Sequence, residues 1–307
     1  MKLQKLNKSI VCLLIVVFAV FTVSAQKRRK SKSTVKEKPI IFALMNDGTT
    51  LEPIGIFDKG ELVAATGGDA DQKALTNFAA SYYKPKTAYK LIFGGTFNGL
   101  VTVKNSNIKT DCAKNLATVS TVAPKVKIKG LVMGLATNGS TTKTSGVRRL
   151  PTVAERDEIE NLVRAEYAKN GVAENALKDL HYYNLTAIDV NNDGKAELVG
   201  SYWVESSAKE RNSLFFIADK NADGKYALDY SEYKKLLLDE VMSKDFKDLA
   251  NGIDNELLLD SFAFDGDKTD EIFTVTQGFE GNNFKVYSRR DGKWVKAFEG
   301  SNYHCAY

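Results

Sequence analysis

The chain has 307 residues, of which 43% are hydrophobic and 26% are charged, and this composition is typical of a folded globular protein. Its formal charge of +5 comes from basic residues before position 39, so the remainder is mildly acidic and nucleic-acid binding is not indicated. Because the chain has two histidines, His181 and His304, a histidine base or a zinc site built from several histidines is nearly excluded.

Residues 1–25 have the pattern of a secretory signal peptide. Basic residues precede an apolar segment, Ile10–Val20, and Val23–Ala25 is a small-residue cleavage site. The sequence therefore predicts a secreted or periplasmic protein that is cleaved after Ala25. The alternative is a protein that an uncleaved segment anchors in the membrane, because dense positive charge directly after the segment can hold that flank inside.

Residues 26–39 are a predicted basic, flexible linker without apolar periodicity. Its cationic side chains could contact an anionic envelope surface, and a solvated spacer is the alternative. The residues that would make this contact are Lys27, Arg28, Arg29 and Lys30.

Residues 40–136 are predicted to form an N-terminal α+β domain of antiparallel hairpins. Turn sequences separate its apolar segments, and the last predicted strand is Val126–Met133. A helix is predicted between Asp71 and Tyr83, where apolar residues recur at helical spacing. The glycine-rich segment Gly94–Gly99 lies between predicted strands, which favours a hairpin turn over a phosphate-binding loop.

Residues 137–150 are a predicted linker to a C-terminal domain of residues 151–307. That domain is predicted to begin with a helix, because Thr152 and Glu155 form a capping-box pattern. Two similar β units follow, each with an acidic loop before an apolar run, so an internal duplication is predicted. A further helix is predicted between Tyr233 and Leu249. The fold class is thus predicted to be α+β and mostly antiparallel β.

The clearest site pattern is the acidic loop that runs from Asp189 to Glu197. Its oxygen-bearing residues are spaced to surround a hard cation such as calcium, and Gly194 permits the positive φ that turns the chain around an ion. An alternative is a polar hairpin whose aspartates bond to their own backbone amides. The candidate ligands are the side chains of Asp189, Asn191, Asp193 and Glu197 and the carbonyl group of Lys195.

This loop resembles the calcium loops of FG-GAP and VCBS repeats, which are known from integrin-like β-propellers. The resemblance implies a β-hairpin loop that holds calcium for structure, and it implies no chemistry. An EF-hand is disfavoured, because Gly200 stands at the twelfth position, where a bidentate glutamate belongs. A propeller needs at least about four blades, and the sequence contains two units.

A second, looser copy of the loop surrounds Asp265. When it is aligned on Glu271, Ala263 stands at the first ligand position, and Lys268 replaces the turn glycine. This lysine could supply the positive charge that a cation supplies elsewhere. The predicted ligands of a second calcium ion are Asp265, Asp267 and Glu271. Residues Asp219–Gly224 look similar but lack the later ligands, so a plain turn is predicted there.

Removal of the predicted signal peptide leaves two cysteines, Cys112 and Cys305. An even pair in an exported chain predicts one disulfide bond between them. Two buried free thiols are the alternative.

These features predict an exported, non-catalytic protein that calcium stabilises. Its predicted role is to bind or scaffold a protein or glycan partner at the cell envelope or outside the cell. The alternative is a secreted hydrolase that uses the acidic-loop carboxylates. Those carboxylates lie together on one loop instead of facing each other across a cleft, so no catalytic residue is predicted. A cleft on which carboxylates of both copies converge would favour the hydrolase.

Overall fold

The computed structural model describes residues 37–66, 71–140, 143, 145–241, 244–247, 252–264, 266 and 268–305. The predicted signal peptide, residues 26–36 of the predicted linker, and Asp265 and Asp267 lie outside the described residues. The chain from Lys38 onwards forms one compact unit. In the part of the chain that the structure describes, no helix is both long enough and apolar enough to cross a membrane.

The described residues form sixteen strands, which pair antiparallel throughout, and two α-helices. The prediction of an α+β, mostly antiparallel β fold is confirmed. The helices are α1 (Gln72–Tyr82) and α2 (Val153–Lys169). The strands are β1 (Ile40–Met45), β2 (Thr50–Asp58), β3 (Glu61–Ala64), β4 (Ala88–Phe93), β5 (Thr96–Ser106), β6 (Ala117–Val122), β7 (Gly134–Thr137), β8 (Arg148–Arg149), β9 (His181–Ile188), β10 (Glu197–Ser207), β11 (Glu210–Lys220), β12 (Tyr226–Leu237), β13 (Glu256–Phe262), β14 (Glu271–Gln277), β15 (Gly281–Arg290) and β16 (Lys293–Tyr303).

The first seven strands form a sheet that closes on itself. Its order is β1-β7-β4-β5-β6-β2-β3, and β1 also pairs with β2. Helix α1 begins where the Asp71 side chain accepts a hydrogen bond from the amide of Ala74, at 2.6 Å. Its residues Phe78 and Tyr82 pack into the cluster of apolar side chains that the closed sheet forms with the helix. The predicted helix is confirmed.

The first β unit is the antiparallel meander β9–β12, which we call the first meander, with β8 added at one edge. Helix α2 begins with the predicted capping box, in which Thr152 and Glu155 satisfy each other's free backbone amides. The apolar face of α2, which includes Ile159 and Tyr167, packs on one face of this sheet in a single core cluster. The helix therefore covers the face of the first meander that would otherwise meet water.

The second β unit is the antiparallel meander β13–β16, or second meander, and it repeats the register of the first. Glu197 pairs with Ile188 in the first meander, and Glu271 pairs with Phe262 in the second. Each meander has one irregularity of register between its first two strands and another between its last two strands. The two meanders therefore share their strand order and the positions of two bulges, and an internal duplication stays a prediction.

The second meander lies between the other two parts of the fold. In β13, Leu257 and Leu259 pack against the closed sheet, whereas Leu258 packs against the first meander. Alternate residues of a strand point to opposite faces, so a strand that is buried on both faces needs the continuous apolar run found here. The core is therefore continuous across the predicted linker of residues 137–150, and a division into separate domains there stays a prediction.

Two predicted elements are wrong. Residues 126–133 contain an isolated bridge between Lys129 and Val132 instead of a strand, and the strand that closes the sheet is β7. The described residues between Tyr233 and Leu249 form no α-helix, since β12 continues to Leu237 and a short 3-10 helix follows at Leu238–Glu240. Pairing along the whole of β11 uses the backbone groups of this segment, and such tertiary pairing overrides a weak helical pattern.

Candidate metal-binding loops

The first acidic loop connects β9 to β10 at one end of the first meander. Asp189 follows the last residue of β9, and Glu197 opens β10. Asn192 and Gly194 both have positive φ, of 59° and 81°. Two left-handed residues in so short a segment fold the chain into a tight ring of oxygen-bearing side chains.

Each of the first three candidate ligands bonds to a backbone amide of the same loop. Asp189 Oδ2 accepts from the amide of Gly194 at 3.0 Å. Asn191 Oδ1 accepts from Asp193 at 3.0 Å, and Asp193 Oδ1 accepts from Lys195 at 2.7 Å. These are the bonds expected of a polar hairpin. They use one oxygen of each carboxylate and leave the second oxygen of each to other partners.

Two carboxylates of this loop are buried. Asp189 and Glu197 are 6% and 4% exposed, and Asp189 Oδ1 has no hydrogen-bond partner. Burial raises the pKa of Glu197 to about 7, against a hydrogen bond from the amide of Val190 and with repulsion from Asp219 and Asp189. A buried carboxylate oxygen without a partner is costly, and a cation at this position would remove that cost.

The predicted ligands do not form a complete cage from acidic side chains alone. In the described residues, no group of three or more His, Cys, Asp or Glu side chains is placed to hold a metal ion. A calcium ion in this loop would therefore also depend on neutral oxygens, which calcium accepts readily, from Asn191, the carbonyl of Lys195 and water.

The second acidic loop keeps part of the same framework. The amide of Phe264 donates to Glu271 Oε2 at 3.3 Å, and the amide of Val190 donates to Glu197 Oε2 at 3.1 Å. Glu271 is buried as well. Because Asp265 and Asp267 lie outside the described residues, this ligand set stays a prediction.

A lysine from the predicted linker joins the two loops. Lys143 Nζ donates to Asp270 Oδ2 at 2.7 Å and to the carbonyl oxygen of Asp189 at 2.9 Å. The amide of Asp270 also donates to the carbonyl of Val190, at 2.9 Å. Lys268, which the sequence offered as the compensating charge, is exposed. The ammonium group that contacts Asp270 belongs to Lys143, and the compensating role of Lys268 stays a prediction.

The glycine-rich segment of the closed sheet docks onto this junction. The amides of Gly94 and Gly95 each donate to the Asp260 carboxylate at 3.0 Å, and Arg148 pairs with the same carboxylate at 2.6 Å. A Cβ atom on Gly95 would lie 2.2 Å from Asp270 Oδ2, so no larger residue fits. The segment is a hairpin turn, as predicted, and its glycines allow close approach of the second meander.

The look-alike segment Asp219–Gly224 is a turn, and the carboxylate of its first residue, Asp219, contacts residues outside the turn. Asn221 Oδ1 accepts from the amides of Asp223 and Lys225, at 3.0 Å each. The Asp219 carboxylate pairs with Arg289 and accepts from Trp294 Nε1. It therefore joins the first meander to the second instead of closing a ring around an ion.

The predicted disulfide bond is present between Cys112 and Cys305, whose Cα atoms are 5.1 Å apart. Beside it, His304 Nε2 lies 3.0 Å from Oε1 of the fully buried Glu52. The hydrogen bond with Glu52 raises the pKa of His304. The end of the second meander is thus fastened to the closed sheet by a covalent bond and an ion pair.

A polar cleft lies between the two meanders, and it was not predicted from the sequence. Glu232 of the first meander and Glu256 of the second converge there on Lys285. Alternating polar residues along β12 and β15 were visible in the sequence. What was not visible is that these faces lie opposite each other.

Comparison with known proteins adds no family to these observations. No protein-family model, curated protein or solved structure matches the chain. The likeness to FG-GAP and VCBS loops therefore stays a resemblance of the residues around Asp189 and Asp265.

Proposed function

We propose that the chain is an exported, non-catalytic binding or scaffolding protein that calcium stabilises at the loop Asp189–Glu197. The observation that carries the proposal is the unpartnered, buried Oδ1 of Asp189 beside the buried carboxylate of Glu197. Calcium prefers oxygen ligands in flexible loops, and it would neutralise two acidic groups that the fold holds close to each other.

The role of such an ion is structural. The loop joins β9 to β10, and its second residue, Val190, belongs to the core between the two meanders. An ion that fixes the loop would therefore fix the contact between the meanders. The resulting rigid surface suits a protein that binds a partner at the cell envelope or outside the cell.

The alternative, a hydrolase that uses the acidic loops, has less support. Asp270 is paired with Lys143, and Glu271 accepts a hydrogen bond from a backbone amide. The cleft does bring together Glu232 and Glu256 from the two meanders, but these lie outside the acidic loops and both pair with Lys285. A general acid and base need a pair of carboxyl groups that can exchange protons with a substrate.

Thermal unfolding with calcium and with excess chelator tests the proposal. With about 1 mM calcium and a dissociation constant of about 0.1 mM, binding adds about 1.4 kcal/mol to the free energy of unfolding. This corresponds to a rise in Tm of about 2–4 °C. Asp193→Ala should abolish the rise, and Asp223→Ala in the look-alike turn should keep it. A wild-type protein whose Tm does not respond to calcium would refute the proposal.

A further inference from the structure

The cleft between the meanders has the size and lining of a small ligand site. Its volume is about 240 Å³, which is below the range of about 300–1,000 Å³ for drug-sized ligands. Both meanders line it, with the apolar ring of Phe215 at one side. Its other lining residues are polar, and they include the neutral Ser213 and Asn255 and the charged Glu232, Glu256 and Lys285.

The charged groups inside the cleft already satisfy one another. Lys285 Nζ donates to Glu256 at 2.8 Å and to both oxygens of Glu232 at 2.9 Å. The other oxygen of Glu256 accepts from the hydroxyl groups of Thr274 and Tyr287, at 2.7 Å each.

Burial raises the pKa of Asp254 and the nearby charge of Lys234 lowers it, and Glu299 pairs with Lys296. Every charged side chain of the lining therefore has an oppositely charged neighbour.

Two neutral groups in the lining have no partner. Ser213 and Asn255 are 8% and 2% exposed, and neither Ser213 Oγ nor Asn255 Oδ1 makes a hydrogen bond. A buried polar group without a partner costs about 1–3 kcal/mol. Ser213 belongs to β11 and Asn255 directly precedes β13, and both residues line the cleft, so a ligand between the meanders would lie against both.

The chemistry of the lining selects a neutral ligand that is rich in hydroxyl groups. Because every charged side chain of the lining already has an oppositely charged neighbour, neither a ligand ammonium group nor a ligand carboxylate finds an unpaired charge there. A hydroxyl group both donates and accepts, so it can serve the amide oxygen of Asn255 and the hydroxyl of Ser213. We propose that the cleft binds one uncharged sugar unit of a glycan. This proposal deepens and rests on the binding function proposed above.

Calorimetric titration of the disulfide-bonded protein with neutral monosaccharides tests this site. The probes are methyl β-D-glucopyranoside, methyl β-D-galactopyranoside and N-acetyl-D-glucosamine, with glucuronate and glucosamine as charged counterparts. At least one neutral sugar should bind with a dissociation constant of about 1 mM, and both charged sugars should bind more weakly.

Two substitutions locate the binding. Ser213→Ala and Asn255→Ala each remove one unpartnered group and should weaken binding by about 3–10-fold. Asn115→Ala is the matched control, since Asn115 also has a buried Oδ1 without a partner but lies outside the cleft. Its affinity for the sugar should equal that of the wild type. Ser213→Ala changes one atom, so it remains informative where Asn255→Ala fails to fold.

The failure of this proposal is distinct from failure of the calcium proposal. Titration in the presence of chelator should still show sugar binding, weakened at most by a looser contact between the meanders, because no residue of the loop Asp189–Glu197 lines the cleft. The sugar proposal is overturned if no neutral sugar binds at about 20 mM, if glucosamine or glucuronate binds most tightly, or if both cleft variants bind like the wild type. If no neutral sugar binds, the cleft holds ordered water only.

Discussion

The two meanders have the same backbone plan but different polar chemistry at their loops. In both, a backbone amide donates a hydrogen bond to the glutamate that opens the second strand, which is Glu197 in one and Glu271 in the other. The first loop has Asp189 at its first position, with an oxygen that lacks a partner, whereas the second has Ala263 there. Beside the second loop lies the ammonium group of Lys143.

We propose that the two loops, which share one framework, are held by two kinds of positive charge. A lysine that belongs to the chain is always present, so the second loop has a permanent counter-charge. Among the described residues, no such side chain contacts Asp189 Oδ1, and this is the basis for proposing an external cation there.

The largest effect is expected from the loss of the permanent charge. Lys143→Met leaves the Asp270 carboxylate, whose side chain is 1% exposed, without its counter-charge. Burial raises the pKa of Asp270, and Lys143 lowers it. Breaking a buried ion pair costs about 3–5 kcal/mol, and urea unfolding measures the loss. Adding Asp270→Asn should restore most of the stability.

The exposed pair between Lys38 and Asp58 provides the control for this experiment. Its atoms are 2.8 Å apart, but the lysine side chain is 55% exposed. Lys38→Met should therefore cost less than about 1 kcal/mol. A similar cost for Lys143→Met would show that Lys143 does not hold the loops together.

The second meander, unlike the first, is fastened covalently to the closed sheet. Replacing both cysteines, Cys112→Ser with Cys305→Ser, should lower the free energy of unfolding by about 2–5 kcal/mol, because the bond spans 193 residues. Reductant should lower the stability of the wild type to that of the double variant and leave the variant unchanged. Equal stability of the two oxidised proteins would contradict this.

The first meander is instead covered by helix α2, and that contact should depend on pH. Hydrogen bonds from the Arg149 guanidinium, against the effect of burial, lower the pKa of Glu155 to about 2, and Thr152 adds to the lowering. Because the folded pKa lies below the ordinary value of 4.5, the stabilisation is complete above that value and is lost as the pH falls towards 2.

The measurement is urea unfolding of wild type and Glu155→Gln between about pH 7 and about pH 2.5. At neutral pH the variant should be less stable by about 2 kcal/mol, a value reduced for the partial exposure of Arg149. This gap should narrow as the acid range is entered. A gap that stays constant with pH would show that the charge of Glu155 is not responsible.

Local patterns in the sequence predicted most of the local structure. The capping box at Thr152, the helix between Asp71 and Tyr83, and the disulfide Cys112–Cys305 are all present. The capping box and the helix depend on residues that are close in sequence. The disulfide could be predicted because two cysteines allow a single pairing. The first acidic loop also adopts the tight turn that its residues favour.

Features that need distant residues could not be predicted in the same way. Nothing in the residues around Lys143 indicates that its ammonium group reaches Asp270, 127 positions away. The cleft likewise depends on which strand faces lie opposite each other. The segment after Tyr233 was predicted as a helix. It forms a strand because it pairs with β11, and this pairing cannot be read from the segment itself.

Calcium titration calorimetry tests the central claim most directly. We expect the calcium ion that binds most tightly to occupy the first loop, with a dissociation constant of about 0.1 mM. Asp189→Ala should abolish this binding event, whereas Glu271→Gln in the second loop should keep it. Binding that is lost with Glu271→Gln but survives Asp189→Ala, or no binding by the wild type, would contradict the account.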